Sequence, residues 1–151
     1  MSFKNSTALL SVGFAALTAS PTLADITADD IWTSYQAIAQ SIGGELTATT
    51  TRDGNTVAFS DTKLHLAFPG GEGALDILYP TLSYTESGDG TVSMDMEGDQ
   101  TYKFVVTGMN QKQVSAEVLI NYDNSELIAS GDPDNITFAY GMDGFTFETR
   151  N

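Results

Sequence analysis

The chain has 151 residues, with 20 acidic and 6 basic side chains and a net charge of −14, a field that repels anionic lipid headgroups and excludes nucleic acid as a partner, because binding either needs Lys and Arg to displace counterions. Hydrophobic residues make up 41% and charged residues 17%, which is too apolar for a disordered segment and sufficient for the core of one domain. There is no Cys, which removes disulfides, thiolate catalysis, zinc–cysteine sites and iron–sulfur ligation, so stability has to come from packing.

The N-terminus reads as an export leader. Lys4 is the only charged side chain of the first 24 residues, and an uncharged, mostly apolar run from Ala8 to Ala19 follows it. That run suits the core of a signal peptide and is shorter than the roughly 20 residues a bilayer span needs. Pro21 breaks the run, and Thr22 and Ala24 supply the small side chains that a signal peptidase accepts before its cut. Residues 1–24 are therefore expected to be a signal peptide cleaved after Ala24, with an uncleaved anchor as the alternative. The mature domain is expected over residues 25–151, in the periplasm or secreted, and without a transmembrane span.

Residues 27–42 are expected to form the one helix. Thr27 can cap it, with Asp30 three positions on as the acidic half of a capping box. Ile31, Tyr35, Ile38 and Ile42 recur at helical spacing and form an apolar stripe widened by Trp32 and Ala39. Thr33, Gln36 and Gln40 fall on the side expected to be wet, and Gly43-Gly44 ends the helix.

From Glu45 the period of the apolar pattern becomes two. Leu46 and Ala48 lead to the turn Asp53-Gly54-Asn55, and Val57 and Phe59 lead back. The alternation changes phase before Leu64, which predicts a bulge or bend between Ser60 and Lys63. Later runs carry Leu75, Ile77 and Tyr79; Leu82 and Tyr84; Val92, Met94 and Met96; Tyr102, Phe104 and Val106; and Val114 to Tyr122. Leu127 and Ala129 follow, then Ile136, Phe138 and Tyr140, a hairpin turn at Asp143-Gly144, and Phe145 and Phe147 beyond it. Pro80 marks an edge or bulge because it has no N–H to give a ladder. No connection is long enough for a crossover helix, so the strands should pair antiparallel.

The expected fold class is mainly β (α+β): one N-terminal amphipathic helix packed on a large antiparallel β-meander sheet of eight or nine strands, curved or partly closed. A helix of about 16 residues is about 24 Å long and too narrow to cover eight strands at about 4.8 Å each. Either the sheet curls onto itself, or further chain covers it, or its apolar face holds a ligand. The end at Asn151, one strand after a turn, suggests that the sheet continues in a longer parent protein.

Signals for chemistry are few. His65, the only His, lies between Leu64 and Leu66 and should face away from the apolar side. No GxSxG marks a nucleophile, and Gly70-Gly71-Glu72-Gly73 lacks the ending of a phosphate loop. Three acidic groups, Asp95/Glu97/Asp99, Asp123/Asn124/Glu126 and Asp132/Asp134/Asn135, have calcium-type ligands but not the EF-hand spacing, and read as solvated turns. No catalytic residue, metal or cofactor is assigned.

The helix opening Asp25 to Trp32, the Gly-Glu-Gly of residues 71–73 and the turn from Glu86 to Ser93 resemble an uncharacterised alphaproteobacterial family of exported proteins, catalogued as domain of unknown function 2125. The resemblance covers nearly the whole chain as the N-terminal part of longer members. It implies no catalytic residues.

The leading expectation is a non-enzymatic binding or transfer module for a lipid or another apolar small molecule. Trp32, Tyr35, Phe104, Val118, Ile120, Phe138 and Tyr140 form the ligand-binding face. The alternative is a structural or interaction domain with an envelope protein partner, and a carboxylate-based hydrolase ranks third.

Overall fold

The computed structural model describes residues 25–96 and 98–150. The expected leader, its cleavage point and Glu97 lie outside the described residues. The chain runs α1 (Ala28–Ser41), β1 (Gly44–Asp53), β2 (Thr56–Ala67), β3 (Gly73–Leu78), β4 (Leu82–Glu86), β5 (Val92–Asp95), β6 (Gly98–Gly108), β7 (Gln113–Asp123), β8 (Glu126–Asp132), β9 (Asn135–Gly141) and β10 (Gly144–Arg150). The fold is mainly β, as the two-residue rhythm requires, and every strand pairing is antiparallel.

The helix forms where its sequence signals lie. The Thr27 hydroxyl accepts from the Asp30 N–H at 3.2 Å, and the Asp30 carboxylate accepts from the Thr27 N–H at 2.9 Å, which completes the capping box. Gly43, at φ 77°, takes the left-handed conformation just past the helix, and its N–H bonds the Gln40 carbonyl at 3.0 Å. A second tie at the N-terminus was not legible in the sequence: the Ala28 N–H donates to Glu86 of β4 at 3.0 Å. Arg52 of β1 then bridges Glu86 and Asp29, at 2.7 and 3.0 Å.

The strand order is β10-β7-β6-β3-β2-β4-β5-β8-β9, with β1 on the other edge of β2. β2 therefore pairs with β3 through Lys63–Ala67 and with β4 through Thr56–Phe59, on the same edge. β3 and β4 are two halves of one long strand broken at Tyr79–Thr81, and β5/β6, β7/β8 and β9/β10 are halves in the same way. The expected meander is present, made of fewer and longer strands than the sequence pattern suggested, and a crease runs across them. The sheet is not closed into a barrel.

Local chemistry places the crease. Asp61 in β2 sits at φ 52° and Asn124 between β7 and β8 at φ 51°, left-handed residues that kink a strand and shift its side-chain phase by one. The bend expected between Ser60 and Lys63 is this kink, with a matching register shift between Thr47 and Thr49 of β1. Pro80 breaks the next strand at the same line.

One expectation needs correction. Asp143-Gly144 is not a hairpin turn. β10 does not return along β9; it pairs with β7 from Gly144↔Asp123 to Arg150↔Glu117, while β9 pairs with β8. The Asp143 N–H bonds the Asp123 carbonyl at 3.0 Å, so the chain carries straight on across the crease. The Asp-Gly pair therefore makes a kink, because the free edge of β7 offers ladder partners to the residues that follow.

The core lies between α1 and the β2/β4/β5/β8 half. Ile26, Ala28, Ile31, Val57, Phe59, Tyr84, Val92 and Ala129 are buried there. Trp32 stacks on Phe59 with ring centroids 4.5 Å apart, and Phe59 meets Tyr84 edge-on at 5.8 Å. The helical stripe is only partly used: Ile31 is fully buried, whereas Ile38 and Ile42 are 57% and 60% exposed. Gln36, expected to be wet, is half-buried and donates to the Leu46 carbonyl at 3.2 Å.

Candidate ligand cavity at the crease

The helix overhangs the crease, and a cavity of about 330 Å³ lies beneath it. Trp32, Tyr35, Ala39 and the rim residues Ile38 and Ile42 come from α1. Leu46, Thr62 and Leu64 come from β1 and β2, and Tyr79, Leu82, Tyr84, Met94, Met96 and Tyr102 from both halves of the sheet. The phase shift at Asp61 is what points Phe59 and Leu64 to the same side. Without it, one half of the sheet would present its polar face to the helix.

The tyrosines set the electrostatics. Burial raises the phenol pKa of Tyr84, and the neighbouring Tyr35 and Tyr102 add to the rise. Burial likewise raises Tyr102, next to Tyr122, Tyr79 and Tyr140. Tyr79 is raised by burial, and Tyr35 by burial in part offset by the Tyr84 hydroxyl. Tyr79 and Tyr102 meet edge-on at 5.8 Å. All are neutral phenols, able to donate and accept hydrogen bonds inside an apolar wall.

Of the residues expected from the sequence, Trp32 and Tyr35 line the cavity. Phe138 stands beside it and stacks on Tyr35 at 6.1 Å. Tyr140 lies close to Tyr102, accepts from the Ser125 hydroxyl at 3.2 Å and points its own hydroxyl to the Met142 sulfur at 3.2 Å. Phe104, Val118 and Ile120 are half-buried on β6 and β7, on the same sheet face but away from the cavity lining. Sequence reasoning missed Tyr79, Tyr84, Tyr102, Met94 and Met96 as one group, because strand phase alone does not show which segments face each other across a crease.

His65 is on the opposite, polar face as expected, with Nδ1 2.6 Å from the Asp76 carboxylate. Glu45 and Asp76 are its directly opposite cross-strand neighbours. Two of the turn acids have hydrogen-bond partners of their own. Asp132 accepts from the N–H groups of Asp134 and Asn135, both at 3.0 Å, and Asp99 accepts from Asn121 at 2.7 Å. Among the described residues no group of three or more His, Asp or Glu is placed to hold a metal ion, and no helix is long and apolar enough to cross a membrane. The chain matches no family model, no curated protein and no solved structure.

Proposed function

We propose that the protein is an exported, non-catalytic binding or transfer module of the periplasm, and that the cavity beneath α1 holds an apolar or lipid-like ligand. The observation that carries this reading is the cavity itself: about 330 Å³, walled by aliphatic, aromatic and methionine side chains at the junction of three structural parts. Its size lies at the lower end for small-molecule sites, which suits one acyl chain or a compact ring system. Methionines adapt their shape to varied guests, as a carrier requires. The leader-like N-terminus supports the compartment. Native mass spectrometry of protein purified from periplasm is expected to show a bound small apolar molecule, released on organic extraction. Protein that is always ligand-free, and that binds no apolar probe, contradicts the reading.

A second reading, an interaction domain for an envelope protein, is favoured by one observation. Phe145 and Phe147 of the edge strand β10 and Val114 of the neighbouring β7 are largely exposed. Phe147→Glu is expected to abolish partner capture under this reading and to leave ligand binding unchanged under the first.

A further inference from the structure

All six tyrosines of the chain gather at the crease, although they are spread from residue 35 to residue 140. Tyr35 of α1 meets Tyr84 of β4, and Tyr84 in turn feels Tyr102 of β6. Tyr102 is in contact range of Tyr79, Tyr122 and Tyr140. Four of these rings, Tyr35, Tyr79, Tyr84 and Tyr102, line the cavity.

The charges stand elsewhere. None of Arg52, Lys63, Lys103, Lys112 and Arg150 lines the cavity. Arg52 is engaged by Asp29 and Glu86, Lys103 stands 3.9 Å from Glu117, and Arg150 pairs with Glu148. An anionic head entering this wall would lose its hydration with no counter-charge, in the field of a chain of net charge −14. An ammonium head would find no carboxylate in the lining either and would have to rely on ring faces, several of which are already partly covered. One face of Trp32 is already taken by Phe59, one face of Tyr35 by Phe138, and Tyr79 and Tyr102 meet edge-on.

We propose that the cavity selects an uncharged amphiphile, a long-chain alcohol or ester. Its chain lies among Leu46, Leu64, Leu82 and Met94; its hydroxyl or carbonyl accepts from the Tyr79 hydroxyl, and an alcohol hydroxyl also donates to the oxygen of Tyr102, whose own proton is engaged with Tyr122. This rests on the binding role proposed above and adds the chemistry of the head group. The raised pKa values of Tyr79 and Tyr102 agree with it, since these phenols stay protonated at any physiological pH.

A matched set of probes tests the selection: dodecane and dodecanol below their solubility limits, and laurate and dodecyltrimethylammonium below their micelle concentrations, each added to the delipidated full chain. Trp32, the only Trp, reports occupancy through its emission. Dodecanol is expected to bind at least about tenfold more tightly than either charged probe, the equivalent of about 1.4 kcal/mol. Tyr102→Phe and Tyr79→Phe keep the rings; each is expected to weaken dodecanol roughly fivefold, the worth of one hydrogen bond, while leaving dodecane unchanged. Laurate or the ammonium probe binding as tightly as dodecanol overturns the head-group selection and leaves the binding role standing. Equal binding of dodecane and dodecanol overturns the role of the hydroxyls. No response to any probe overturns the binding role and the selection together.

Discussion

Ile31 and Ile38 lie two turns apart on the apolar stripe of α1, yet the structure assigns them opposite weights. Ile31 is fully buried among Val57, Phe59 and Tyr84, whereas Ile38 is 57% exposed at the cavity rim. Ile31→Ala removes a side chain from a closed core, and the transfer loss plus the residual cavity amounts to about 3 kcal/mol within the usual range of about 2–5. Ile38→Ala removes atoms that are mostly hydrated already and should cost less than about 1 kcal/mol. Urea unfolding followed by Trp32 emission resolves the two. With a slope of about 1–3 kcal/mol/M, Ile31→Ala should lower the midpoint by about 1–3 M, and Ile38→Ala by no more than a few tenths. Equal costs for the two variants would refute the account, because they would mean that the whole stripe is packed and that no cavity lies under the last turns of the helix.

Asp61 sits at φ 52°, so Asp61→Gly should be neutral or slightly stabilising and Asp61→Val should cost about 1–2 kcal/mol, measured by thermal unfolding. Thr27→Ala removes the cap acceptor and should cost about 1 kcal/mol in the same assay. The Arg52 guanidinium first, and the Ala28 N–H after it, hold the Glu86 carboxyl below its usual value. A depressed folded-state pKa adds stability above the unfolded value of about 4.3 and loses it as pH falls through the folded value. Arg52→Met should therefore flatten the acid limb of stability against pH below about 4.3, and an unchanged limb counts against the bridge. Burial raises Tyr35, Tyr79, Tyr84 and Tyr102, so their phenols should resist ionisation above pH of about 10 in an ultraviolet titration until the fold is lost.

Much of the fold was legible because local chemistry and global structure agree. The Thr27–Asp30 box, the Gly43 stop and the alternation through Val114–Tyr122 each appear where the residue pattern puts them. The Asp143-Gly144 pair misled, because the same dipeptide serves a hairpin turn and a kink, and only the open edge of β7 decides between them. The helical stripe overstated burial because Ile38 and Ile42 stand at the rim of the cavity, where they do not pack into the closed core. The crease is written in the sequence more often than it was read. The apolar phase slips between Phe59 and Leu64, and again after Tyr79, Tyr122 and Tyr140, and each slip lies on the same line across the sheet. Three tyrosines stand immediately before such a slip, so repeated slips beside aromatic residues are the signal that could have found the cavity. The union of Tyr84 with Tyr102 had no such signal, because it depends on how sharply the sheet folds.

The most direct measurement is a titration of Trp32 emission with a chain-brominated dodecanol, whose heavy atom quenches only at contact. An apolar guest seated beneath α1 predicts saturable quenching with one molecule bound per chain, reversed by unlabelled dodecanol. Quenching that rises linearly without saturating, or an emission that does not change, would contradict it.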